Sequence, residues 1–544
     1  MSEIASRNGG RAGLAALVAI LLLGLGLRLG EAWDGRPPVY DASAYAAIAA
    51  NLERGDGFTV GSQATQPSSN YSPGLPLFVT GLYAVTGGVH ERLARVVLAL
   101  VGTLSVLFAY AIGRRLTRLV ALRPSPHRPD SSEVGTATGE AGGALEHDQA
   151  RRKIQRALNN ARHRGEFSAL AEISPALAGA LAVAIYPALL EYQGMLMGEP
   201  LAATLLSGAV LAILWARERE GPLPWLLPGA LLGTLTLVRP EYLAVSVLIA
   251  VLVALPLPLP LPLRFVTQRV TKGRGAEGGS GAGGWRPGLA RAGGLARAGG
   301  LARAGGLGRA GGLLAALVVV LAPWTIRNAV ALDRFVPVST GGGQVLFAGT
   351  YLPSGGDPER VGEEVVARHP ELFAPNAARD LHLEQILARL AAHRYPGTEA
   401  DRALAKMGRQ QLWDDVGEQP LDYLGFLATK VGRVWFHPAR QAMRAPAWRI
   451  LQWALVLFGL LGLGLLAWRR RWEALLLGAI LLAITAIGAV LVASPRRALV
   501  LLPLLAALAA ASLAWLTGSP ESASEARHAR PGRKSDALST SDPG

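Results

Sequence analysis

Seven ionisable side chains stand where the apolar helices of this sequence begin or end: Asp41, Glu199, Arg239, Glu241, Arg327, Arg496 and Arg497. In so apolar a chain such groups are costly unless they face a watery cavity, so their placement is informative. A carboxylate in such a cavity can take the proton of a hydroxyl that attacks as a nucleophile. A guanidinium can hold a phosphate through two parallel hydrogen bonds as it gains charge. Each residue also has a plainer use. Asp41 opens a helical pattern, and Asp is a preferred N-cap; Glu199 before Pro200 can close a helix N-terminus. Arg239 and Glu241 can pair with each other, and Arg327, Arg496 and Arg497 can snorkel to water.

The elements that must position these groups are membrane spans. Of 544 residues, 51% are hydrophobic and only 17% charged, which excludes an ordinary soluble protein and predicts an all-α polytopic membrane protein. The pattern predicts about ten spans, at 12–30, 91–116, 168–190, 193–215, 223–240, 242–263, 312–330, 448–468, 473–493 and 497–516. The net charge of +15 is concentrated in loops: 114–166 carries eleven Lys/Arg against six acids, and 264–309 nine against Glu277 alone. The first loop, 31–72, has five acids and two Arg. The positive-inside rule therefore places the first loop and the segment 331–446 on the extracytoplasmic side of a cell (plasma or inner) membrane. Arg7 and Arg11 precede the first span in the manner of a signal peptide, but Ala42-Ser-Ala44 lies well past its end, so an uncleaved span is expected. Without Cys, disulfides and thiolate sites are excluded.

Asp41 starts a run in which Tyr45, Ile48, Ala49 and Leu52 share one helix face, and 73–85 is apolar but too short to span, so two interfacial helices are expected in the first outer loop. The expected organisation is an N-terminal transmembrane module, 1–330, with first outer loop 31–90 and cytoplasmic insertions 119–166 and 264–311. An extracytoplasmic segment at 331–446, C-terminal helices at 447–517 and a disordered cytoplasmic tail at 518–544 follow. The second insertion holds four near-copies of Leu-Ala-Arg-Ala-Gly-Gly, whose Gly pairs are expected to break any helix. No aromatic residue interleaves these bases, which excludes base stacking; a linker, or contact with anionic lipid heads, is expected instead. In 331–446, residues 335–347 read as a short extended patch around a glycine turn. Thr398-Glu-Ala-Asp401 resembles a capping box opening a helix to Trp413, and 421–436 reads as another helix.

Several motifs carry a resemblance. An Asp in the first outer loop, Leu52-Glu-Arg-Gly-Asp-Gly57, Tyr71-Ser-Pro-Gly-Leu-Pro-Leu77, Gly198-Glu-Pro-Leu201, Thr236-Leu-Val-Arg-Pro-Glu241, Pro323-Trp-Thr-Ile-Arg-Asn328, Phe335-Val-Pro-Val-Ser-Thr-Gly-Gly342 and Ser494-Pro-Arg-Arg497 occur in order. This set resembles the bacterial glycosyltransferase family 39-like enzymes, relatives of protein O-mannosyltransferases and lipid A aminoarabinose transferases with the GT-C fold. The resemblance implies a membrane glycosyltransferase, hexosyl- or pentosyl-transferring, that uses a polyprenyl-phosphate sugar donor. It assigns Asp41 as the catalytic carboxylate and Glu199 as the acidic residue of the fourth span, which is Asp in many members. Tyr40, Tyr45, Tyr71, Arg239, Glu241, Arg327, Arg496 and Arg497 are then the candidate substrate contacts. A divalent cation, if one is used, would sit at Asp41 and Glu199. The donor, membrane lipids and an acceptor protein, lipid or glycan are the expected partners, and nucleic acid is not. A transporter or flippase of a lipid-linked substrate is the alternative, although transporters place their binding groups near the midplane.

Overall fold

The computed structural model describes residues 2–34, 37–38, 41–60, 69–121, 174–255 and 288–517. Tyr40, nearly all of the first insertion, the second up to residue 287 and the tail 518–544 lie outside the described residues. Among those described there is no strand.

The membrane part is a bundle built on α1 (Ser2–Asp34), α4 (Glu91–Ala121), α5 (Pro175–Ala184), α6 (Pro187–Gly194), α7 (Gly198–Ala216), α8 (Leu226–Val238), α9 (Tyr242–Ala254), α10 (Gly288–Leu332), α17 (Pro446–Trp468), α18 (Trp472–Val490) and α19 (Arg496–Thr517). Seven of these, α1, α4, α7, α10, α17, α18 and α19, are long and apolar enough to cross a bilayer. α7 and α19 form its axis, with 83% of their apolar windows buried, and α4, α5 and α17 pack around α19. Two expected spans are shorter: 223–238 is a 3-10 turn followed by α8, and α9 ends at Ala254 where the described residues stop at Leu255.

The third expected span, 168–190, is instead a broken one, α5 and α6 bent by 40°. Pro187 is the cause, because it has no N–H for the carbonyl of Val183 and cannot continue the helix. The freed carbonyls are met from α1, where buried Arg28 donates to Val183 O at 3.3 Å and Ala184 O at 3.1 Å. A second difference lies in α10, which runs as one 45-residue helix through the repeats expected to interrupt it. Each Gly costs only about 1 kcal/mol relative to Ala, and the Ala, Leu and Arg between them favour helix.

Two short helices follow α1, as expected: α2 (Asp41–Glu53) and α3 (Gly74–Thr86), packed on each other. Gly74 lies so close to α8 that a Cβ there would meet the Val238 nitrogen at 2.6 Å. Between α10 and α17 lie α11 (Gly342–Thr350), α12 (Val361–Arg368), α13 (Ala377–Asp380), α14 (Leu383–Arg394), α15 (Ala400–Glu418) and α16 (Pro420–Phe436). Phe347, Val361, Val365, Ile386, Leu387 and Leu404 give this helical segment its own core.

The extended patch is shorter than expected, since α11 starts at Gly342 after Gly341 turns the chain at φ +89°. The carbonyls of Val336, Pro337 and Val338 are met by side chains at the end of α10, and the Thr340 N–H donates to Ser69 O at 2.7 Å. Trp324 Nε1 donates to Val338 O (2.6 Å), Thr325 Oγ1 to Pro337 O (2.9 Å) and Asn328 Nδ2 to Val336 O (3.0 Å). The expected capping box also works differently. Asp401 does not return to Thr398; its carboxylate accepts the N–H groups of Gly343 and Gln344 and so caps α11 across 58 residues of sequence.

Candidate functional site

Asp41, Glu199, Arg239, Glu241, Arg496 and Arg497 converge on one end of the bundle, carried by four sequence-distant places. Asp41 is the first residue of α2, and Glu199 lies in the first turn of α7. Arg239 and Glu241 flank Pro240 between α8 and α9; Pro disfavours helix in the residue before it, and Arg239 accordingly leaves the helix at φ −141°, ψ 98°. Arg496 and Arg497 open α19 directly after Pro495.

Within the cluster the charges are matched. Arg496 Nη1 donates to Asp41 Oδ2 at 2.7 Å, and the Asp41 side chain is 46% exposed. Behind it Arg239 pairs with Glu199, whose side chain is fully buried, and lies 3.8 Å from Glu241. Arg497 faces Glu241 at 3.9 Å and donates to Val492 O. Asp41 is therefore the accessible carboxylate and Glu199 the enclosed one. Tyr45 sits between them: burial raises its phenol, Arg239 opposes the rise, and Asp41, Glu199 and Glu241 add to it. It stays a neutral O–H. Tyr71 meets Tyr45 edge to face at 5.8 Å, and burial together with Asp41 holds its phenol up as well.

Arg327 does not join them. It stacks over Trp324 (4.9 Å) and Phe58 (5.5 Å) and donates to Ser69 Oγ (3.3 Å) and Asn328 Oδ1 (3.0 Å), tying the first loop to the end of α10. Its contact with the cluster is indirect, through Tyr71, which packs with Phe58 and Trp324 in one apolar group.

Sequence reasoning missed Tyr192 and the pair beside it. Arg496 lies over the Tyr192 ring at 5.7 Å and Arg440 over the same ring at 5.5 Å, while Arg440 Nε donates to Glu191 Oε2 at 2.6 Å. The available signal was a Glu-Tyr-Gln stretch at the end of an expected span. The turn from α6 to α7 brings Tyr192 and Glu199 together through Leu196, a buried non-Gly residue at φ +55°. That conformation costs about 1–2 kcal/mol, and such strain recurs at functional sites.

Asp41 and Glu199 each face an arginine, and among the described residues no group of three or more His, Cys, Asp or Glu could hold a metal ion.

No family model matches the chain, and no curated protein is significantly similar to it in sequence. In three dimensions it is similar to archaeal oligosaccharyltransferase AglB from Archaeoglobus fulgidus in complex with an inhibitory peptide and a dolichol-phosphate, at 14% identity and TM-score 0.46 over 96% of this chain and 52% of that one. The Archaeoglobus fulgidus oligosaccharyltransferase in the apo form matches at 13% identity and TM-score 0.44, over 92% and 50%. The same enzyme tethered to an acceptor peptide containing the NVT sequon gives 13% and 0.44, over 92% and 49%. The chain thus spans about half the length of the solved structures it resembles. Likeness of this degree says nothing about chemistry.

Proposed function

We propose that the chain is a GT-C-type membrane glycosyltransferase that moves a sugar from a polyprenyl-phosphate donor to an acceptor hydroxyl, with inversion, at the extracytoplasmic face of a cell membrane. The observation that carries this reading is the accessible Asp41 carboxylate held by Arg496 over the enclosed Glu199–Arg239 pair. Asp41 takes the acceptor proton, and the acceptor oxygen attacks the anomeric carbon. The bond from that carbon to the phosphate oxygen breaks, and its electron pair leaves with the polyprenyl phosphate. The donor diester carries one negative charge and the leaving monoester two. Arg496, one hydrogen bond from Asp41, is drawn more strongly to the phosphate as the bond breaks, which is stabilisation specific to the transition state. A single displacement inverts the centre and needs no sugar–carboxylate intermediate. Glu199 acts through Arg239, fixing it beside Tyr45.

The test is Asp41→Asn in proteoliposomes supplied with labelled polyprenyl-phosphate sugars. Asn keeps the size of Asp and an amide oxygen that can accept from Arg496, while the base is lost. Transfer should fall by about 10² or more with melting temperature nearly unchanged. Retention of more than about a tenth of turnover removes Asp41 as the base, and lipid translocation without transfer would turn the reading to a flippase.

A further inference from the structure

A second polar site lies at the other end of the bundle and is independent of the glycosyltransferase reading. Arg217 caps the C-terminus of α7, whose first turn carries Glu199. Eighteen positions along the helix separate Glu199 from Arg217, which places it about 27 Å away. Here Arg217, Trp225, Arg309, Trp472 and the end of α9 at Leu252 and Val253 line a small cleft open to the surface. Among the described residues its lining contains no carboxylate.

Three groups in the cleft ask for an acceptor. Arg217 lies flat on the Trp472 ring at 3.7 Å, which fixes its position without supplying an oxygen. Its pKa is lowered to about 10 by burial, and Arg309 and Arg115 push the same way while Glu473 opposes. The nearby acids are faced by Arg115, at 2.7 Å from Glu218 and 3.8 Å from Glu473. Trp225 is 1% exposed, yet its indole N–H has no hydrogen-bond partner. A buried donor left unpaired is costly, so an acceptor supplied from outside the chain is expected to be welcome there.

The last two copies of the repeat, 301–306 and 307–312, build this place. A Cβ at Gly306 would meet Ala254 O at 2.6 Å, and Gly312 sits equally tightly against Pro222 O. These glycines let α10 approach the end of α9 and the turn before α8, and Arg309 between them is carried into the cleft. Val251 and Leu255 beside the cleft are about half exposed, an apolar surface suited to acyl chains.

We propose that this cleft binds the phosphate group of an anionic membrane lipid, with Arg217 and Arg309 as its guanidinium ligands and the Trp225 N–H as a third donor. The chemistry is that of phosphate recognition by arginine with an aromatic flank.

Native mass spectrometry of the delipidated full chain in detergent tests it, with phosphatidylglycerol, diacylglycerol of the same acyl chains and inorganic phosphate as probes. The wild type should hold one phosphatidylglycerol about tenfold or more tighter than either other probe, and Arg217→Gln with Arg309→Gln should lose that lipid, with affinity down about tenfold or more. Trp225→Phe, which keeps the ring and deletes the N–H, should weaken it about threefold to fivefold. Arg219→Gln, at an exposed arginine stacked on Trp215 outside the cleft, should leave retention unchanged. Equal retention by wild type and double variant overturns the site. Diacylglycerol binding as tightly as phosphatidylglycerol overturns the phosphate role, and inorganic phosphate binding as tightly overturns the lipid assignment. Gel filtration and melting temperature establish that each variant is folded. If the double variant is not, Arg309→Gln and Trp225→Phe decide the question by the same criteria.

Discussion

At the end of the bundle that holds Asp41, every arginine of the cluster has been given an oxygen by the chain itself. Arg239 faces Glu199, Arg496 faces Asp41, and Arg497 lies on the Val492 carbonyl. At the opposite end Arg217 lies on an indole face, and Arg309 lines a cleft without a carboxylate among its described lining. The same residue type is used in two ways. Matched charges are held in place before any substrate arrives, which is the condition for electrostatic preorganisation. Unmatched ones are completed by a ligand, so their cost falls on the free protein.

The sharpest break in this comparison comes from removing one arginine at each end. Arg239→Leu leaves Glu199 buried and unpaired and should cost about 3–5 kcal/mol of stability, most of it restored by adding Glu199→Gln. Arg309→Gln, on a half-buried face with no acid to orphan, should stay within about 0.5 kcal/mol in lipid-free detergent. Thermal and denaturant unfolding of the three variants check both halves, and equal losses at the two ends would dissolve the distinction.

A smaller effect separates two neighbours within the matched end. Arg496→Lys keeps the charge beside Asp41 but loses the planar fork, and should lower kcat/KM for the lipid-linked donor about tenfold, or roughly 1.4 kcal/mol. Arg497→Lys should change it by less than about twofold, because that guanidinium is turned to Val492 and Glu241. Donor-titration kinetics on both single variants distinguish them, and the reverse order would exchange their roles.

Lys430 is intermediate, a cation given only carbonyls. Its ammonium donates to Gly349 O and, at 3.4 Å, to Val490 O, joining α16 to the ends of α11 and α18. Burial, with Arg497 adding to it, lowers its pKa to about 7 from an ordinary 10.5. The unfolded chain therefore binds the extra proton between those values, and stability should rise as pH climbs from about 7 towards 10.5. Melting curves across that range should show a rise in the wild type that Lys430→Met lacks; parallel curves would remove Lys430 as the cause.

The least effect is expected at a neutral donor pair. Asp401→Ala should cost about 1 kcal/mol by uncapping α11, and Thr398→Ala within about 0.3 kcal/mol, read as melting temperature. A larger loss at Thr398 would restore the local capping box.

The charged cluster was legible in sequence because each ionisable residue stands out against apolar surroundings and each sits at a helix end. Pairing was less so: the one partner that local sequence offers Arg239 is Glu241, but Glu199, forty residues away, is the closer partner. Tyr192 stayed hidden because the apolar run around it reads as one straight span, and Pro187 alone does not reveal how far the chain turns. The repeats show a different limit. Helix propensity marks their glycines as breakers, but Gly306 and Gly312 are set by packing against α9 and the turn at Pro222, contacts that local sequence does not contain. Asp401 is similar, since its acceptor role is defined by amides 58 and 57 residues distant.

Arg28 carries a consequence for how the chain is made. It enters the bilayer with α1, yet the Ala184 carbonyl it needs is synthesised 156 residues later. At roughly 5–20 residues per second that interval is on the order of ten seconds. Throughout it, an arginine two turns from the end of α1 adds about 2.5–3.5 kcal/mol against insertion if it lies at mid-membrane depth, and less if it reaches the headgroups. The nascent helix thus begins with its guanidinium turned to the interface. Gly24 O of the same helix accepts one of its hydrogen bonds at 3.0 Å, and arrival of the Pro187 break adds the first acceptors from another helix, which tie α1 to the bundle.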